Sequence, residues 1–151
     1  MPRTKRSPRA RSVSRQRIAP LVELTRSGTT SDKENAAGLL ANLAANSHDN
    51  KAAIAAEGGI APLVELARSG TAGAKQQAAG ALANLANNED NQVAIAAEGG
   101  ISPLIELTRS GTSEAKEHAA RALANLAFNK GLVCPNSSAD RERSQIIGIY
   151  R

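Results

Sequence analysis

Three asparagines, Asn42, Asn84 and Asn125, stand in the same short phrase, Leu-Ala-Asn-Leu, at intervals of 42 and 41 residues. A carboxamide carries both a donor and an acceptor, so it can bond the peptide group of a partner of any sequence. The bland alternative is a polar residue on a solvated helix face. Other side chains able to make polar contacts precede each asparagine by one to three helical turns: Asn35 in the first copy, Gln77 in the second, and Glu114, His118 and Arg121 in the third. Residues that could do bond-making chemistry are scarce. His48, read as lying in a loop, and His118 are lone histidines in different copies, and neither has a cysteine or carboxylate at metal-ligand spacing. Glu114 and His118 can share a helix face, which reads as a surface contact. The Glu-Gly-Gly turns are helix stops and lack the Gly-Lys-Ser/Thr of a phosphate loop. Cys134 has no activating neighbour in sequence beyond Arg141 and Arg143. No nucleophile, base and acid can be assembled. The expectation is a non-catalytic chain with no metal and no cofactor.

The elements that carry these residues repeat. Residues 91–127 align with 50–86 at 27 of 37 positions, and residues 18–44 align with 60–86 at 20 of 27. A period near forty residues means one supersecondary unit stacked on copies of itself. Each complete unit, 47–87 and 88–128, reads as three helical pieces. The first is short, at about 50–57 and 91–98, and Gly58-Gly59 or Gly99-Gly100 ends it. The second runs from Ile60 or Ile101, with Pro62 or Pro103 in its first turn, where a missing N–H costs nothing. Ser69-Gly70 or Ser110-Gly111 stops it. The third is the longest, at about 73–87 and 114–129. Residues 18–46 form a copy that has lost its first short helix. There Pro20 is expected in the first turn, Gly28 as a left-handed cap, and Ser31 with Glu34 as a capping box for the long helix.

At 100° per residue, Gly73, Gln77, Gly80 and Asn84 fall within about 60° of one another on the long helix. Ala74, Ala78, Leu82 and Leu85 form a separate apolar face. The same arithmetic groups Ser31, Asn35, Gly38 and Asn42, and then Glu114, His118, Arg121 and Asn125. Long helices stacked at about 8–10 Å would set the asparagines in a ladder. An extended strand rising about 3.3 Å per residue would meet one of them every two or three residues.

The triplet resembles the armadillo repeat. The matching features are the period, the Glu-Gly-Gly-Ile stop, the Pro-Leu-Val/Ile-Glu-Leu second helix and the Ala-Leu-Ala-Asn-Leu of the third. They span residues 18–128. The resemblance implies an all-α, right-handed superhelical solenoid whose third helices line a concave groove for an extended peptide. It also implies that Asn42, Asn84 and Asn125 clamp the peptide backbone, with Asn35, Gln77, His118, Arg121 and Glu114 lining the same groove. Importin-α-like relatives carry Trp four residues before the asparagine. Here those positions hold Gly38, Gly80 and Arg121, and no acidic cluster accompanies them, so recognition of nuclear-import cargo is not expected. A ubiquitin-ligase substrate module is an alternative, because plant-type U-box proteins carry such repeats, although no U-box is present.

The 151 residues include one Phe, one Tyr and no Trp, so Ala, Leu, Ile and Val must build the core. The net charge of +5 is uneven. Residues 1–17 hold Arg3, Lys5, Arg6, Arg9, Arg11, Arg15 and Arg17 without an acid, while the rest has 12 basic and 14 acidic residues. This leader buries too little apolar surface to order itself and reads as disordered. It is also a candidate targeting arm, or an arm for nucleic acid or another polyanion, although no aromatic residue offers base stacking. After residue 128 the pattern stops, and residues 129–151 read as a divergent, irregular tail. An uncapped last repeat would favour self-association. A single cysteine suits a reducing compartment, so the expected location is cytoplasm, nucleus or both, with organelle targeting by the leader left open. No run is long enough to span a bilayer. The expected partner is an extended segment of another protein.

Overall fold

The computed structural model describes the backbone of residues 8–127 and the side chains of residues 16–127. Among these residues there are eight α-helices and no strand. The first and partial copy contains α1 (Pro8–Ser27) and α2 (Thr30–Asn46). The second contains α3 (His48–Ala56), α4 (Ile60–Ser69) and α5 (Ala72–Leu85). The third contains α6 (Glu89–Ala97), α7 (Ile101–Ser110) and α8 (Ser113–Ala127). Equivalent helices stack in three rows: α2 on α5 on α8, α1 on α4 on α7, and α3 on α6. No described helix is long and apolar enough to cross a membrane.

Local chemistry sets the breaks between helices. Gly58 and Gly99 adopt φ of 77° and 78°, a left-handed conformation that costs an L residue about 1–2 kcal/mol. The chain turns there and releases α4 and α7 at a new angle. Each of these two helices places its proline at the third position, among the N–H groups that have no intrahelical partner. The long helices start on threonine caps. Thr29 accepts from the Asp32 N–H at 3.1 Å, Thr71 from Ala74 at 3.1 Å and Thr112 from Ala115 at 3.1 Å.

Four expectations are corrected. The capping box of α2 pairs Thr29 with Asp32 rather than Ser31 with Glu34, because Thr29 lies directly after the glycine stop and starts the helix two residues earlier. Gly28, expected as a left-handed cap, has no positive φ, and its equivalents Gly70 and Gly111 have φ of −76° and −79°. Size explains the residue type: a Cβ on Gly70 would stand 2.7 Å from the Leu66 carbonyl oxygen. His48 is not in a loop but opens α3, which Ser47 caps. Pro20, expected in a first turn, lies inside α1, which runs back to Pro8. No Gly-Gly precedes Ile18, so nothing stops the helix there. Residues 129–151, and Arg3, Lys5 and Arg6 of the leader, lie outside the described residues.

The core is aliphatic throughout. Leu40, Leu63, Leu82, Leu85, Leu104, Leu123 and Leu126 are fully enclosed, with Ile54 and Ile95 beneath them. Alanines at 36, 37, 74, 78, 79, 115 and 119 let the long helices approach closely. The apolar face expected for the long helix is therefore the face that stacking buries.

Candidate recognition surface on the long-helix row

Asn84 and Asn125 occupy equivalent, half-buried places on α5 and α8, whereas Asn42 on α2 is exposed. Each of the two half-buried amides donates from Nδ2 to a main-chain carbonyl of the preceding repeat. Asn84 bonds Ala41 O at 2.8 Å, and Asn125 bonds Ala83 O at 3.4 Å and Asn87 Oδ1 at 3.2 Å. Ala41 and Ala83 are themselves equivalent, each directly preceding the asparagine of its own repeat. The ladder is thus regular, and part of its donor capacity ties repeat to repeat. Asn42 has no described repeat before it and makes no such bond.

The rest of the stripe lies between the same helices. The Gln77 side chain rests over Gly38, where an added Cβ would sit 3.2 Å from its Oε1. The His118 ring rests in the same way over Gly80, 3.4 Å from an added Cβ. A glycine below and a longer polar side chain above is thus a rule of this surface. At Arg121 the rule ends with a cation, whose Nη2 lies 3.5 Å from Asn84 Oδ1 and 3.4 Å from His118 Nδ1. Arg121 can only donate, so Nδ1 accepts and the histidine proton resides on Nε2. Burial first, and the Arg121 charge second, hold His118 below its ordinary pKa, against opposing pulls from Glu114 and Glu117. It therefore presents a neutral imidazole at pH 7.

Glu114 stands apart from the centre of the stripe. It is exposed in the first turn of α8 and accepts from Gln76 Nε2, and Thr112 Oγ1 bonds Gln76 Oε1 at 3.0 Å. Asn35 is exposed and lines a shallow depression of about 420 Å³ with Glu34, Gly38, Leu39, Asn42 and Gln77. Leu39 was missed from the sequence. Its side chain is 51% exposed in this depression, and the signal was a leucine where the other copies have Ala81 and Ala122. Of the leader cations, Arg9, Arg11 and Arg15 lie on the α1 backbone and Arg17 is exposed.

The chemistry on offer is hydrogen bonding. Donors and acceptors of amide type recur at helix spacing, with one largely polar depression holding Leu39 at one end and one cation at the other. Among the described residues, no cluster of three or more His, Cys, Asp or Glu is placed to hold a metal.

A family model, the Armadillo/beta-catenin-like repeat, matches residues 47–87 and 88–128. Among solved structures, a computationally designed armadillo repeat protein for modular peptide recognition superposes with a TM-score of 0.74 at 25% identity, over 88% of this chain and 54% of that one. An engineered protein superposes with a TM-score of 0.71 at 30% identity, over 86% of this chain and 60% of that one. A designed armadillo repeat protein in complex with the peptide (KR)4 superposes with a TM-score of 0.72 at 24% identity, over 85% and 52%. The chain thus spans between about half and three fifths of the length of these structures. No curated protein matches.

Proposed function

Since the chain belongs to the armadillo repeat family, an all-α solenoid family that often serves as a peptide-binding scaffold, we propose that it is a non-catalytic scaffold that captures an extended segment of another protein along the α2–α5–α8 row. The observation that carries this reading is the regular placement of Asn42, Asn84 and Asn125 on three successive long helices. The amides provide backbone recognition that does not depend on partner sequence. Selectivity comes from the side chains between them: Asn35 and Gln77 at one end, and His118 with Arg121 at the other. One designed armadillo repeat protein of the same fold was made for modular peptide recognition, which supports a peptide partner here.

In the free protein, Asn84 and Asn125 direct Nδ2 at the preceding helix. Capture then either uses the remaining Oδ1, which accepts from the peptide N–H, or swings the amide outward. Losing the inter-repeat bond would cost about 0.5–1.5 kcal/mol, an amount that a peptide bond gained in its place offsets.

The test begins with a peptide selected from a displayed random library against the full chain. Amide hydrogen exchange is then measured with and without that peptide. The expected result is slower exchange in α2, α5 and α8, with α1, α4 and α7 unchanged. Protection confined to α1, α4 and α7 would contradict the reading.

A further inference from the structure

Among the described residues, the two ends of the helical stack differ in what they leave uncovered. In the second and third repeats, Leu66, Ala81, Leu107 and Ala122 are 6%, 0%, 3% and 0% exposed, because the repeat before each covers them. The equivalents in the first repeat are Leu24 on α1 and Leu39 on α2, at 39% and 51% exposed. Leu21 and Leu43 beside them are half-buried, whereas their counterparts Leu63 and Leu85 are fully buried. This end therefore shows four leucines at positions that the chain elsewhere places inside an interface between repeats. Residues at the other end are complementary. Thr25 and Ala67 are buried where the following repeat lies, and so are Ala44 and Ala86. Their counterparts Thr108 and Ala127, on α7 and α8, are half-buried.

We propose that the α1–α2 end of one molecule docks on the α7–α8 end of a second copy, head to tail, as repeat already docks on repeat within the chain. The occupant follows from the chain's own packing. Both junctions pair equivalent second helices (α1 with α4, α4 with α7) and equivalent long helices (α2 with α5, α5 with α8). The first repeat has no counterpart of the short helices α3 and α6 that also enter them, so the α1–α2 end matches the α7–α8 end over the second and long helices alone. In the docked pair, Asn42 donates to Ala124 O of the second copy, as Asn84 does to Ala41 O and Asn125 does to Ala83 O. Leu24 and Leu39 cover Thr108 and Ala124. The long-helix rows join, and the asparagine ladder runs on from one molecule to the next. Such a contact uses two different surfaces and does not close on itself, so it makes open chains of molecules rather than a symmetric dimer.

Sedimentation velocity on the full chain over a range of concentrations tests this. The expected result is a weight-average mass that keeps rising past the dimer as concentration increases. Leu24→Glu with Leu39→Glu removes one end, and Ala124→Glu removes the other, with Thr108→Glu as the replacement should Ala124→Glu lose its far-ultraviolet circular dichroism. Each variant alone should sediment as a monomer, yet an equimolar mixture should form a 1:1 pair, because each retains the end that the other has lost. Three results would overturn the proposal: a monomeric parent at every concentration, as when residues 1–7 or 128–151 of the same molecule cover an end; a variant that still self-associates; or a mixture that stays monomeric.

Discussion

At the scale of single residues, the asparagines do two jobs, and the jobs separate by position. Asn84→Ala removes a part-buried bond to Ala41 O and should lower stability by about 1 kcal/mol. Asn42 is exposed and bonds no neighbouring repeat, so Asn42→Ala should change stability by less than about 0.5 kcal/mol. Urea unfolding of both variants checks this, and equal effects would deny the inter-repeat role. His118 adds a pH dependence. Its folded-state pKa lies below the ordinary 6.5, so the unfolded chain binds the proton more readily. Stability contributed by the neutral ring is then present above about pH 6.5 and is lost as pH falls through the folded pKa. Melting temperature should drop between pH 7.5 and pH 5, and His118→Gln should make that drop shallower. A variant with an unchanged pH profile would mean that the ring is not held neutral by its surroundings.

At the scale of elements, the repeat phrase was legible because each break has its own chemistry. Gly58 and Gly99 are left-handed, and alanine at either should cost about 1–2 kcal/mol, measurable by denaturant titration. The second and third helices of each unit, their apolar faces and the polar stripe were all readable from spacing. What was not readable was the first copy. Pattern alone treated Pro20 like Pro62 and Pro103, but Pro20 lies inside α1 while Pro62 and Pro103 lie near helix starts. The difference lies in what precedes the helix: Gly59 and Gly100 halt the chain, and the Arg/Ser-rich run before Ile18 does not. Interior proline removes a hydrogen bond and crowds the previous turn, at about 3 kcal/mol. Pro20→Ala should therefore stabilise the protein by up to about 3 kcal/mol, with a gain in helical circular dichroism, while Pro62→Ala should be nearly neutral. Equal effects would mean that α1 breaks near Ile18.

At the scale of the whole molecule, three short stacks share one aliphatic core, with polar staples at their edges. Arg26 Nη2 bonds Gly58 O at 3.3 Å while its Nη1 pairs with Glu23 at 3.2 Å. Arg68 repeats this at Gly99 O, at 3.4 Å, and at Glu65, at 3.1 Å. Such exposed contacts contribute little singly, but they recur at the same place in both junctions. The sequence stripe grouped these residues by helix face, yet it could not say which donors were already taken. Gln76 with Glu114, and Asn84 with Ala41, are pairings across about forty residues that depend on the stacking offset, and periodicity does not encode that offset. The exposure of Leu39 escaped notice for the same reason, since only stacking reveals that its alanine counterparts are buried.

The central claim is that the asparagine ladder holds a peptide by its backbone. Isothermal titration of the library-selected peptide against the parent and against Asn84→Ala with Asn125→Ala measures it directly, with circular dichroism confirming that the variant remains folded. Two backbone contacts at about 1 kcal/mol each predict a dissociation constant raised about 30-fold. A dissociation constant unchanged in the folded double variant would contradict the account.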